Sequence, residues 1–242
     1  KVTEEELVLL VQWITEGAPY DEPWTYKAPV KATEPTVQTK NWPVNWIDRF
    51  ILGRLEKEVI PPSPDADAIT LIRRLHFDLT GLPPTPEARE RFQVAVKNNP
   101  QTAIEAEVDL LLSSPAYGER MAIYWLDLVR FANTVGYHGD QDHNITPYRD
   151  YVIRSFNENL PFDQFTREQL AGDLLPNPTQ HQLVATGYNR LLQTTHEGGL
   201  QQAEYRAIYQ ADRVRNFSAV WMGATVGCAQ CHDHKYDPYT AK

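Results

Sequence analysis

The chain of 242 residues holds only two cysteines, and they stand three positions apart: Cys228-Ala229-Gln230-Cys231, with His232 directly after. Two thiols that close together leave no disulfide framework to staple the fold. The chain must therefore be held by an apolar core, and 42% hydrophobic and 11% aromatic residues supply one. Cys-x-x-Cys-His is also the attachment signal for a c-type haem. Each thiol adds across one porphyrin vinyl group, and the adjoining imidazole then lies under the iron. The motif predicts one haem c, with thioether bonds at Cys228 and Cys231 and His232 as the proximal iron ligand.

Three other readings compete. A dithiol redox pair sits at a helix start in a thioredoxin-like βαβ context, and nothing upstream reads that way. A zinc site could draw on Cys228, Cys231, His232 and His234, but structural zinc takes two ligand pairs from separate segments, and these four fall within seven residues. A chance match is the third. Haem is the reading carried forward, with zinc as the alternative.

The formal net charge of −9 argues against nucleic acid and anionic membrane surfaces as partners. No apolar run approaches the length of a membrane span. The chain begins with Lys1 rather than Met and shows no signal peptide. Covalent haem attachment takes place on the exported side of a membrane. A periplasmic or otherwise exported location is therefore expected, with an export signal upstream of Lys1 and this chain as a segment of something longer.

In order, Thr3-Glu4-Glu5-Glu6 is a capping-box pattern ahead of Leu7, Leu10, Val11 and Ile14 at helical spacing, stopped by Gly17 and Pro19. Residues 1–20 read as the closing helix of a preceding domain. Residues 21–44, rich in Pro, Thr, Lys and Glu, read as an extended linker draped on a neighbour through Trp24, Tyr26 and Trp42. Residues 45–242 read as one helical domain. Asn45 opens a helix running to Val59, and another spans 68–79. Thr85-Pro86 and a Thr102/Glu105 capping box open two more. Ser114-Pro115 leads into an aromatic helix with Tyr117, Met121, Tyr124, Trp125, Leu128 and Phe131. After a polar loop over 136–146, helices start at Pro147, at Asp163 as a cap, and at Thr179 with Leu183, Val184, Tyr188 and Leu191 inward. One long helix is predicted over 201–226. With no period-2 alternation anywhere, the fold class is all-α: an irregular multi-helix domain with an extended Pro-rich arm and the cysteine motif at its C-terminal end.

Several blocks of this chain resemble those of planctomycete cytochrome-c-associated proteins. They are Trp125-Leu126-Asp127-Leu128-Val129-Arg130-Phe131-Ala132, Pro147-Tyr148-Arg149-Asp150-Tyr151-Val152-Ile153 and Gln169-Leu170-Ala171-Gly172-Asp173-Leu174-Leu175-Pro176. Glu197-Gly198-Gly199, Asp212-Arg213-Val214 and the run from Gly227 to Pro238 belong with them. The resemblance implies a small cytochrome c domain before Lys1–Tyr20, a helical domain of unassigned function from Trp46 onward, and a further domain after it. His138 and His196 depart from that family's pattern, in which acidic residues are common at those positions.

Bis-histidine ligation with a low potential is expected. Met121 and Met222, the only methionines, sit among helical aromatics as core filler. His138 and His143, in the loop, rank ahead of His196 as distal ligands, because a helix over 201–226 would hold His196 nearly 40 Å from Cys228. Arg213 and Arg215 are candidates for the haem propionates. His234 is too near His232 to reach the same iron's other face and is expected to bond Asp233, Asp237 or a propionate, or to orient His232. Asp233 and Asp237 make only a weak calcium pair. Asp127, Arg130, Arg149 and Asp150 read as ion pairs pinning helices, and His76 and His181 as surface or satisfied core residues. The function expected is electron transfer to a redox partner protein or a neighbouring haem domain, within a larger complex. A haem- or metal-dependent enzyme (an oxidoreductase or a carbohydrate-related protein) and a zinc-stapled interaction domain are the alternatives.

Overall fold

The computed structural model describes residues 2–20, 24–137 and 139–241. Among them are ten α-helices, two isolated β-bridges and no strand, which agrees with the all-α expectation. The chain divides into two compact units, Lys1–Pro64 with His234–Thr240, and Asp65–Asp233 with Ala241–Lys242.

In the first unit, helix α1 (Glu4–Thr15) starts at the predicted capping box. The Glu6 N–H donates to the Thr3 hydroxyl at 3.2 Å, and the Glu6 carboxylate accepts from the Thr3 N–H at 2.8 Å. None of its residues is buried; Leu7, Leu10, Val11 and Ile14 are 45–63% exposed. Helix α2 (Trp46–Lys57) is opened by Asn45 in a capping box with Asp48, and it stops short of Val59. Residues 35–39 of the Pro-rich segment lie along α2. There the Gln38 and Thr39 N–H groups donate to Glu56 at 2.9–3.0 Å, and Val37 and Leu52 are buried. Those N–H groups hold the Glu56 carboxyl below its ordinary pKa.

In the second unit, helices α3 (Ala68–Thr80), α4 (Pro86–Asn98) and α5 (Pro100–Leu112) enclose a small core of Ile72, Ala88, Phe92 and Ala103. Beside it the buried Glu107 accepts from His76 Nε2 at 3.0 Å and from Arg91 at 3.1 Å, so His76 is a satisfied core histidine. The larger core lies among α6 (Pro115–Leu128), α7 (Thr146–Asn157), α8 (Phe162–Ala171) and α9 (Gln180–Ala185), and α10 (Gln202–Met222) adds Trp221. Helices α6 and α7 pack so closely that a Cβ on Gly118 would collide with the Ile153 carbonyl. Trp125 is central: its ring lies 4.9 Å from Phe165 and 5.0 Å from Trp221, and its indole N–H donates to Tyr148 and Gln169.

Five expectations are corrected. Helix α5 is capped by Asn99, whose side chain accepts from the Thr102 N–H. Asn99 precedes Pro100, and a helix with Pro at its first position begins there rather than two residues later. Asp163 lies inside the first turn of α8, where it pairs with Arg167 at 2.9 Å, and Pro161 occupies the cap position without a side-chain bond. Leu183 on α9 is exposed rather than inward, and on α6 the buried residues are Gly118, Ala122 and Trp125, with Val129 just after it. Helix α10 ends at Met222 because Gly223 turns left-handed at φ +61°. Of the expected helix-pinning charges, only Arg130 links two helices. Its partner is Asp212 on α10, bonded through both guanidinium arms at 2.8 and 2.9 Å. Arg149 pairs with its neighbour Asp150, and Asp127 is exposed.

Trp125→Ala should cost about 3–5 kcal/mol in urea denaturation, as for a large buried aromatic. Trp221→Ala should cost less, because that ring is only half buried. A loss below about 1 kcal/mol at Trp125 would show that the ring is not core.

The Arg130 hydrogen bonds hold the Asp212 carboxyl below its ordinary pKa. Its stabilisation is therefore present in full above the unfolded value and lost as pH falls through the lowered one. Asp212→Asn should destabilise the protein by about 1–2 kcal/mol at pH 7, modest because the guanidinium is half exposed. That difference should shrink once the pH drops below about 4. A difference that stays constant down to strongly acidic pH would contradict this assignment.

Candidate functional site

The cysteine motif is built by the way α10 ends. After Gly223 the chain reverses, the Ala224 N–H donates to the Ser218 carbonyl at 2.9 Å, and a single 3-10 turn, Val226–Gln230, folds back on the helix. Gly227 makes this approach possible. A Cβ there would stand 2.9 Å from the Cγ and Cδ of Arg215, so the arginine stem lies where any other residue would place its side chain. The motif follows as one tight turn, with the Cys231 and His232 N–H groups both directed at the Cys228 carbonyl at 3.3 Å. Both thiols are free and exposed.

The His232 Nδ1 lies 2.8 Å from the Asp233 carbonyl oxygen. A carbonyl can only accept, so Nδ1 carries the proton and the lone pair of the neutral ring resides on Nε2. This is the arrangement an imidazole needs to bind a metal through Nε2, with a backbone carbonyl fixing its tautomer. The free thiols, the oriented imidazole and the glycine before them fit a group attached through both sulfurs and ligated by His232. Among the described residues, no three His, Cys, Asp or Glu side chains form a cluster able to hold a metal ion.

Of the two arginines singled out in the sequence, Arg215 lies beside the motif. Arg213 instead lines a cavity with Tyr205 and Tyr209 on another side of α10. His234 bonds within the turn that follows the motif, Asp237 included, as expected. Its ring Nδ1 accepts from the Tyr236 and Asp237 backbone N–H groups at 3.2 and 2.8 Å, and its backbone N–H donates to the Tyr239 carbonyl at 2.8 Å, so it stitches the turn that follows.

Three histidines were distal candidates. His138 lies outside the described residues. His143 lines a cavity of about 380 Å³ together with Arg130 and Arg190. His196 is exposed, next to Thr195, whose N–H donates to the Tyr209 hydroxyl at 2.9 Å. The argument that helix length separates His196 from the motif is corrected here. The segment before α10 docks at Tyr209, the segment after it at Arg215, and about 9 Å of helix rise separates those two positions. Both flanking segments fold back toward the middle of the helix.

Sequence reasoning missed the Arg215–Gly227 contact and the polar cavity. A glycine directly before the first cysteine was a faint signal for the former; the latter, assembled from two loops, left none.

The family model described as PSCyt2, protein of unknown function (DUF1549), matches residues 46–242. No curated protein and no solved structure matches the chain. No helix among the described residues is long and apolar enough to cross a membrane. Over some four-fifths of its length, from Trp46 through the cysteine turn, this chain belongs to the PSCyt2 family found in planctomycete cytochrome-c-associated proteins.

Proposed function

We propose that this chain is a c-type haem protein that transfers single electrons in an exported compartment. The observation that carries the reading is the pair of free, exposed thiols on one turn, followed by an imidazole whose Nδ1 is committed to a carbonyl and whose Nε2 is open. Haem, once attached, supplies a one-electron iron couple tuned by its axial ligands and surroundings. Cys228 and Cys231 would hold the porphyrin by thioether bonds, and His232 would ligate the iron. Arg215, its stem packed on Gly227, would meet a propionate with its paired guanidinium donors. The distal ligand would be a histidine, from His138, His143 or His196. The partner would be a redox protein or a neighbouring haem domain, and attachment on the exported side implies a periplasmic or similar location.

Expression with an export signal and a haem-attachment system should yield a chain carrying the mass of one haem, retained through acid–acetone extraction. Cys228→Ala and Cys231→Ala should each reduce the covalent linkage. An unmodified mass, or bound zinc instead, would refute the reading.

Bis-histidine ligation predicts that one of His138→Ala, His143→Ala or His196→Ala abolishes the low-spin spectrum. If none does, or if a sulfur-to-iron charge-transfer band appears instead, the distal ligand is not a histidine.

A further inference from the structure

The cavity of about 380 Å³ lined by Arg130, Thr134, Asp140, His143, Arg190 and Gln193 has no part in the cysteine turn. Its walls are two loop segments tied by their backbones. The Thr194 N–H donates to the Val135 carbonyl at 3.2 Å, the Val135 N–H to the Gln141 carbonyl at 3.0 Å, and isolated bridges join Thr134 with Asp142 and Gly136 with Thr194. A cavity at the small end of the ligand-pocket range suits a small molecule rather than a chain.

The charges inside it are unequal. The Arg130 guanidinium is already matched by Asp212 through two hydrogen bonds. Arg190, exposed and lining the cavity, has no hydrogen bond or ion pair from its side chain among the described residues, so its five donors are unmatched. That cation suits an anion it can hold with two parallel bonds, as it does a carboxylate. Asp140 lines the same cavity, with its Oδ1 accepting from the Gly136 N–H at 2.8 Å. A bare anion would be repelled by it, whereas a ligand bringing hydroxyl donors would satisfy its remaining lone pairs. The Thr134 hydroxyl and the Gln193 amide add two groups that can both donate and accept.

We propose that this cavity binds a small hydroxycarboxylate, with Arg190 gripping the carboxylate and Asp140, Thr134 and Gln193 reading the hydroxyl groups. The inference goes beyond the haem reading, since its anchor, Arg190, is not in the cysteine turn and its ligand contacts leave out His143, the distal candidate that lines the cavity. It is tested by titrating the purified chain, in calorimetry or ligand-observed NMR, with three six-carbon probes. Gluconate carries a carboxylate and hydroxyls, sorbitol only hydroxyls, hexanoate only a carboxylate. Gluconate should bind at least ten-fold more tightly than either of the others. Arg190→Gln, at an exposed position, should weaken gluconate at least ten-fold without moving the melting curve. Asp140→Asn should weaken gluconate and strengthen hexanoate, a reversal that a general loosening of the loop would not produce. Equal binding of gluconate and hexanoate, no binding of gluconate, or indifference to Arg190→Gln would each overturn the proposal.

Discussion

The ion pair between Arg130 and Asp212 ties three segments of the second unit together. Arg130 follows α6 directly and adopts φ +61°, a left-handed conformation that costs a non-glycine residue about 1 kcal/mol. It is held there by a bidentate bond to Asp212 and a longer one from the same guanidinium to the Leu191 carbonyl. One side chain thus fixes the end of α6, the loop after Arg190 and the middle of α10. Everything of functional interest hangs on that arrangement. The polar cavity lies on one side of the guanidinium, the 195 segment docks one turn earlier on α10, and the cysteine turn rests on Arg215, three residues beyond Asp212.

This explains how an acidic chain presents locally basic ground. The net charge is −9, yet α10 and its neighbouring loop carry Arg190, Arg206, Arg213 and Arg215. Asp212 and Arg215, three residues apart, lie about 60° apart around the helix, and the Arg215 charge helps to keep the Asp212 carboxyl ionised. Arg213 points another way and lines a separate cavity with Tyr205 and Tyr209. A single helix therefore distributes its cations among an ion pair, the cysteine turn and open cavities. Net charge says nothing about which goes where.

What was legible in the sequence was what a few neighbouring residues decide. Thr3 with Glu6, Thr85 with Pro86, Asn45 and Thr179 were each read as helix openers, and each caps a helix in the structure. The cysteine turn is equally local. Errors arose where two local signals competed, as at Asn99-Pro100 against Thr102, or where a helix has apolar residues on more than one face. Helix α6 is such a case: its aromatic and apolar residues spread around it, and the buried stripe runs through the small residues Gly118 and Ala122, because α7 approaches closely there. Contacts distant in sequence were beyond reach. Arg130 and Asp212 are 82 positions apart, and nothing in either neighbourhood names the other.

The same limit applies to the core, which is organised by polar groups as much as by apolar ones. Helix α8 has ten residues and no side-chain cap, a length at which an isolated helix is marginal. It is held from within. Gln169, fully buried, accepts from the Tyr148 hydroxyl at 2.6 Å and the Trp125 indole at 3.2 Å, and its amide donates to the Phe165 carbonyl. The buried Glu168 next to it accepts from the Tyr151 hydroxyl, Gln164 and Gln182. Burial pushes the pKa values of both tyrosines upward, so their hydroxyls remain donors at any physiological pH. Aromatic surface alone would let α8 slide or rotate against α6 and α7 at little cost. With these bonds in place, a shift by one residue would strand a buried amide and a buried carboxylate, each costing about 1–3 kcal/mol or more. The polar pair on α8 sets the register in which Trp125 and Phe165 meet, and through Trp125 it sets where Trp221 of α10 can pack.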